Sequence, residues 1–495
     1  MSWIVVLICV VGSLLLLWGI SALAARGGRR EELFTSGSHT SPVIITLSMV
    51  TAAMTGVTFI SLPGSVAGSS LSYMQMSLGF IVGYIITAYL LLPCFHRLKL
   101  FSLYEYLATR FGERSHKTGA WFFFISKMLI NALRLYLLCS VLQFMLYGPM
   151  GLPLWVNVAV MVLLVWLSTR RGGVRSVMWM DVAKTVLMFS CVVMCIIFAA
   201  SKLGFSFSET VSAVEGHRFA KMWFVDDPSD WRFLPKQFIA GVFMIVATTG
   251  LDQDFMQRAL GGGNLRTMQR SMICAVLLQV LIIGLLLMLG LLLYIYMESM
   301  GIDVASGFPL RFGDGTTAVA KSDEVLAFVC TRAGLPLIVG LVFIVGLVFS
   351  SFSSIGSAMT AQSTAMVVDV MGGRDRGMEF MQRWRRVVLP FVALATGGCV
   401  LAIDAWSNDN TLNLTYDIAA YSYGPLLGIF AFGIFTKRRI RDRWLPVVAL
   451  LSPLLSFVVE RLAAIYWGFD FGFELLVMNA LVTMCGMWLI GYRKK

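Results

Sequence analysis

Three stretches of this 495-residue chain place polar oxygens or helix breakers inside otherwise apolar sequence. The first, Thr51-Ala-Ala-Met-Thr-Gly-Val-Thr-Phe-Ile-Ser-Leu-Pro-Gly64, carries hydroxyls at Thr51, Thr55, Thr58 and Ser61 and breakers at Gly56, Pro63 and Gly64. The second is Ala247-Thr248-Thr249-Gly250. In hydrocarbon each unsatisfied backbone group costs several kcal/mol, so an interrupted helix is tolerated only where its freed carbonyls and amides face protein, water or a ligand. The third stretch sets Ser350, Ser353, Ser354 and Ser357 at spacings of three and four, which is one stripe of a helix. Hydroxyls facing freed carbonyls are hard oxygen ligands of the kind sodium takes. The competing reading of the first and third stretches is packing, through a proline kink and small residues that let helices approach.

An ionisable side chain within an apolar span costs about 2.5–3.5 kcal/mol on insertion scales, which makes it a functional candidate. Asp181, Lys184 and Arg134 are such residues. Asp181 and Lys184 lie three apart on one helix and are placed to pair with each other. Arg134 bonds either to helix-end carbonyls or to something in a cavity, where a guanidinium suits a carboxylate solute. Lys127 and Arg461 stand nearer span ends and are expected to snorkel towards the interface. His39, His96, His116 and His217 are scattered over predicted loops, and there is no nucleotide loop, HExxH or GxSxG, so an enzyme is not expected.

The elements that must position these residues are membrane spans. The chain is 58% hydrophobic and 13% charged, against about 45–50% and about 25% in soluble domains, which excludes a soluble fold. Thirteen apolar blocks, near 3–24, 43–66, 72–95, 119–147, 152–168, 176–200, 236–256, 271–297, 335–365, 387–404, 413–435, 444–466 and 471–491, predict an all-α polytopic membrane protein. The net charge of +12 comes from basic residues in short loops, a topology signal that argues for lipid contact and against a nucleic-acid partner. Most Lys and Arg fall in alternate loops, which puts the N-terminus outside and the Arg493-Lys494-Lys495 tail inside. The first block lacks a basic leader and is followed by Arg26, Arg29 and Arg30, so it reads as a retained anchor. Two outside segments, Ser201 to Pro235 and Glu298 to Arg332, are long enough for a short interfacial helix or a lid. The basic run from Arg374 to Arg386 suits anionic headgroups. The nine cysteines form no disulfide framework or CxxC metal pair. The interrupted stretches lie in spans 2 and 7. If spans 2–6 and 7–11 are halves of opposite topology, each half begins with its broken helix, the arrangement that builds a midplane solute site.

In these residues the chain resembles the sodium:solute symporter family of sodium/glucose, sodium/proline and bacterial sialic-acid type. The resemblance covers nearly the whole length. It rests on Phe59-Ile-Ser-Leu-Pro-Gly64, Arg171-Gly-Gly-Val-Arg-Ser-Val-Met-Trp-Met-Asp181, Asp252-Gln-Asp-Phe-Met-Gln-Arg258, the Ser353-Ser-Ile-Gly-Ser to Asp369 run, and Gly424-Pro-Leu-Leu-Gly428 followed by Lys437-Arg438. It implies a LeuT-like five-plus-five inverted repeat, with an extra helix at 1–25, halves at 43–200 and 236–435, and two further helices with a basic tail at 444–495. It further implies alternating access driven by sodium, in the cytoplasmic membrane of a bacterium. Carried over by position, the ion site uses backbone oxygens of Thr51, Met54 and Ser350 and the hydroxyls of Ser353 and Ser354, with Asp181 near the inner ion path. Thr55, Thr58 and Gln75 resemble substrate positions of the sialic-acid symporters, and Arg134 lies about one turn from their arginine. With Thr248 and Thr249 of the second broken stretch, these make a solute site that leans towards a carboxylate such as sialic acid or another organic acid. A sugar is the alternative solute, and a channel or a solute sensor the alternative of another class. The main departure is Lys184, where the family usually has glutamine. It opens a second coupling scheme, sodium-independent or proton-coupled, with the lysine ammonium in place of the ion.

Overall fold

The computed structural model describes residues 1–25, 41–98, 102–169, 174–260, 264–406, 411–469 and 471–492. Arg26, Arg29 and Arg30, the start of the second motif at Arg171, and the tail at Arg493, Lys494 and Lys495 lie outside the described residues. The helices, in chain order, are α1 (Trp3–Ala25), α2 (Pro42–Ala53), α3 (Gly56–Ser69), α4 (Tyr73–Ile86), α5 (Leu92–Leu98), α6 (Glu105–Arg110), α7 (Glu113–Leu142), α8 (Leu154–Thr169), α9 (Val174–Leu203) and α10 (Phe207–Glu215). They continue as α11 (Leu234–Ile245), α12 (Gln253–Leu260), α13 (Leu265–Ser299), α14 (Val325–Thr331), α15 (Leu337–Ala365), α16 (Gly373–Trp406), α17 (Thr411–Phe435), α18 (Leu445–Trp467) and α19 (Leu475–Leu489). Among the described residues eight helices are long and apolar enough to span a membrane, and the bent α2–α3 pair makes a ninth. Shorter apolar helices at Trp3–Gly19, Leu154–Thr169, Leu234–Gly250 and Leu475–Leu489 stand at the remaining four apolar blocks. The chain is an all-α integral membrane protein.

The first interruption falls two residues before Gly56. Met54 (φ −93°, ψ 86°) ends α2 and Thr55 (φ −82°, ψ 173°) is extended, so the chain bends by 53° between α2 and α3. Gly56 restarts the helix against α15, where a Cβ would come within 3.0 Å of Ser351 Oγ. The second interruption differs from a simple break. A π-helical turn over Val246–Gly250 extends α11, and the chain then kinks at Leu251 before α12. Asp252 caps the new start by accepting from the amides of Asp254 (2.9 Å) and Phe255 (3.3 Å).

In lipid there is little hydrophobic drive between helices, and close backbone approach through small residues takes its place. The α4–α11 pair shows this most clearly. A Cβ at Gly79 would lie 2.2 Å from the Phe238 carbonyl oxygen, and one at Gly241 would lie 2.2 Å from that of Met76. α15 is buried nearly all round, as a central helix must be, whereas α18 presents Leu450, Leu454, Leu455 and Ile465 outwards. The segment from 201 to 235 holds the short helix α10, opened by a reciprocal cap in which Ser206 N donates to Glu209 Oε2 (2.7 Å) and Glu209 N to Ser206 Oγ (3.3 Å). The segment from 298 to 332 holds a three-stranded antiparallel ribbon, Ile302–Asp303, Leu310–Phe312 and Thr317–Val319, followed by α14. His116, expected in a loop, lies in the first turn of α7 with Nε2 3.0 Å from Asp369 Oδ1.

Candidate functional site

Where α2 and α3 part, a cavity of about 120 Å³ opens between α3, α7, α11, α13 and α17. Thr55, Thr58, Arg134, Thr248 and Thr249 all line it, together with Lys127, Asp252, Asp254, Gln279, Thr415 and Tyr423. Gln75 does not. It is fully buried beside the cavity's neighbourhood and spent on backbone, donating to the Arg232 carbonyl (2.8 Å) and accepting from Phe224 N (3.0 Å). Tyr73 and Tyr416, both in the wall, are joined by a hydrogen bond between their hydroxyls. Elsewhere in the wall Lys127 Nζ meets Asp252 Oδ2 at 2.5 Å, with Asp254 Oδ2 at 3.8 Å. Lys127 is thus a buried, paired cation of the cavity wall, and the expected snorkelling position is corrected. The reason is the carboxylate pair brought over it by α12.

Arg134 projects from the same helix two turns further on. Among the described residues it makes no hydrogen bond and no ion pair, although it lines the cavity. The guanidinium, with five donors, therefore has no hydrogen-bond partner among the described residues. Gln279 Oε1, also in the wall, is buried without a partner.

Behind the cavity the serine stripe of α15 meets α2 and α9. Lys184 is fully buried, and its Nζ donates to the Thr51 carbonyl at the frayed end of α2 (2.8 Å) and to Ser354 Oγ (2.9 Å). The expected pairing of Lys184 with Asp181 is absent among the described ion pairs. Asp181 instead accepts from Ser353 Oγ (2.5 Å) and Ser48 Oγ (2.9 Å) and is salt-bridged to Arg258 of α12. Arg258 also donates to Ser48 Oγ (2.7 Å) and Ser357 Oγ (2.6 Å), and its Nε lies 3.3 Å from Asp254 Oδ1. Asp181, Arg258, Asp254, Lys127 and Asp252 form one continuous buried chain of charges. With Arg134 and Lys184 beside it, four formal cations stand against three carboxylates. The surplus is one positive charge.

Sequence reasoning missed Arg258 and Asp254 as site residues. Their four-residue spacing was readable as a helical ion pair, but the fold that turns α12 towards Asp181 was not. Of the ion-site set, Thr51 and Ser354 meet at Lys184, Ser353 bonds Asp181, Ser350 lies one turn before Ser354 on the same helix, and Met54 stands at the adjoining break. Ser350 Oγ is fully buried and has no hydrogen-bond partner.

The model of the sodium:solute symporter family matches residues 33–442. The chain belongs to this family. Similar to this member are the human sodium/iodide cotransporter, 24% identical over 83% of this chain and 62% of that protein, and the sodium/sialic acid symporter SiaT of Proteus mirabilis, 23% identical over 87% and 84% respectively. The chain therefore spans less than two thirds of the length of the iodide relative. A solved Na+-coupled sialic acid symporter, in a substrate-bound outward-open state, superposes with a TM-score of 0.80 at 19% identity over 98% of this chain and 97% of that one. The fold of this symporter-family member is accordingly LeuT-like.

The two oxygens at Lys184, the Thr51 carbonyl and the Ser354 hydroxyl, are neutral and fit sodium in type, and Ser350 Oγ on the same helix as Ser354 is buried without a partner. What does not fit is the lysine. Its ammonium already holds the Thr51 carbonyl and Ser354 Oγ, and a second cation on those oxygens would meet a charge of the same sign.

Proposed function

We propose that this family member is a secondary active transporter that couples sodium entry to the movement of a small carboxylate-bearing anion by alternating access. The observation that carries the solute class is Arg134, a guanidinium lining the cavity without a hydrogen bond among the described residues, in surroundings that hold one surplus formal positive charge. A monoanion cancels that surplus, and a carboxylate matches the planar fork with two parallel hydrogen bonds. The names of the two relatives, one an iodide and one a sialic acid transporter, support an anion. Family membership and the oxygen set at α2 and α15 support sodium. Thr55, Thr58, Thr248 and Thr249 line the remainder of the solute site, and Gln75 acts beneath it by fixing the backbone around Phe224.

In this reading residues 43–200 and 236–435 are the two inverted halves, with 1–25 and 444–495 packed outside them. The N-terminus is outside and the C-terminus inside a bacterial cytoplasmic membrane. The Tyr73–Tyr416 contact then closes the outer side, and the Lys127–Asp252 pair closes the inner side. A second scheme, in which the lysine ammonium replaces sodium altogether, is favoured by the two hydrogen bonds of Lys184 and requires transport that is indifferent to sodium.

The solute class is tested by competition in binding to the purified protein. A set of small monocarboxylates and sialic acid is compared with the corresponding amides and with glucose. The carboxylates are expected to bind and the amides to lose at least about tenfold, since the charge-assisted bonds to Arg134 are worth about 1.5–3 kcal/mol. Equal binding of acid and amide, or binding of glucose alone, would move the reading to a neutral solute.

A further inference from the structure

Lys184 occupies a position that has to be vacated for the proposed cation to bind, and the surroundings offer it a second place to go. Its Nζ holds the Thr51 carbonyl of α2 and Ser354 Oγ of α15, at 2.8 and 2.9 Å, so one ammonium bridges the broken helix and the serine stripe. Three residues earlier on the same helix lies Asp181, on the side of α9 that an i, i+3 neighbour reaches. That carboxylate already collects Ser48, Ser353 and Arg258. One turn before Ser354 on the same helix, Ser350 Oγ is fully buried and has no hydrogen-bond partner.

We propose that Lys184 is a tethered cation that competes with sodium for the oxygens of Thr51 and Ser354, filling them in the ion-free carrier and swinging to Asp181 when sodium binds. This rests on the sodium-coupled reading above and deepens it. The tethered ammonium keeps α2 fastened to α15 while the carrier holds no ion, so the oxygens are never left bare and the empty protein keeps its packing. It also sets a built-in weakness of sodium binding, because the ion must displace a charge of the same sign. Arg258 stays on Asp181 in both arrangements and leaves that carboxylate able to accept a second cation from the side of Ser353.

The test is the thermal midpoint of the purified protein, without solute, titrated with sodium chloride against choline chloride. It compares wild type with Lys184→Gln, the apolar and similarly long Lys184→Met, and the charge-keeping Lys184→Arg. The expected result is a half-saturating sodium concentration at least tenfold lower in both neutral variants than in wild type, and unchanged or higher in Lys184→Arg. An unchanged or raised value in the neutral variants overturns the competition. So does the absence of any sodium response in all four proteins. Sodium stabilisation of the neutral variants alone would uphold Lys184 as the occupant while overturning sodium coupling of the wild type. If the neutral variants do not yield monodisperse protein, Lys184→Arg alone still decides, since a lower half-saturating concentration with the charge retained contradicts competition.

Discussion

Arg134→Gln is expected to weaken binding of the carboxylate solute by about 30-fold or more while leaving the protein folded. Removing one partner of a buried, hydrogen-bonded charge pair costs about 2–5 kcal/mol, and every 1.4 kcal/mol is tenfold. Here the loss falls on the complex and not on the free protein, because Arg134 has no bond to a described residue that the substitution would break. Arg134→Lys keeps the charge but not the planar fork, so it should fall between the two. Competition binding with the acid and its amide reads the effect directly. Wild-type acid affinity in Arg134→Gln would remove the guanidinium from the solute site.

The second large effect is on stability. Arg258 is buried at 2% exposure and holds two carboxylates, the buried Asp181 and the partly buried Asp254, with Ser48 and Ser357 filling its remaining donors. Arg258→Gln leaves Asp181 without its cation inside the bundle and Asp254 with only the 3.8 Å ion-pair contact to Lys127, and breaking a buried pair in this way costs about 3–5 kcal/mol. The expected outcome is a steep loss of monodisperse protein and a lowered thermal midpoint. Neutralising the acids as well, with Asp181→Asn and Asp254→Asn in the Arg258→Gln background, should recover much of the loss, since removing all the charges avoids the uncompensated burial. A single variant as stable as wild type would show that the chain of charges is not the strut between α9, α12 and α15 that its geometry indicates.

How much of this could be read from the sequence divides by range along the chain. A broken helix within residues 51–64 was legible because hydroxyls, glycines and a proline in one apolar block have few uses other than a freed backbone, but the break falls at Met54 and Thr55, while Pro63 and Gly64 stay inside α3. The serine stripe was legible from its spacing alone. Arg134 stood out because a guanidinium in an apolar block has few harmless places. What failed was partner choice. Asp181 and Lys184 are three residues apart, and proximity in sequence suggested a pair. The structure gives Asp181 to Arg258, 77 residues away, and Lys184 to Ser354, 170 residues away. Lys127 was read from its distance to a span end, whereas its position is decided by Asp252, 125 residues further on. Gln75 shows the opposite limit. A polar residue at a resembling position can be spent on backbone, and only the placement of residues 224 and 232 against it reveals that. The second break was foreseen at Thr248 to Gly250, but a π-helical turn keeps that stretch wound and moves the kink to Leu251.

The central claim is that a sodium gradient drives an anion through the cavity at Arg134. The most direct measurement is uptake of labelled sialic acid and of a short labelled monocarboxylate into proteoliposomes, with an inward tenfold sodium gradient, with sodium equal on both sides, and with choline instead. Each co-transported sodium at a tenfold gradient contributes about 1.4 kcal/mol, enough for about tenfold accumulation of the solute. At least that accumulation of one of these acids is expected under the gradient, with simple equilibration when sodium is equal and loss of the accumulation in Arg134→Gln. Accumulation of an acid in choline as strong as in sodium would contradict sodium coupling, and uptake unaffected by Arg134→Gln would contradict the place assigned to the anion.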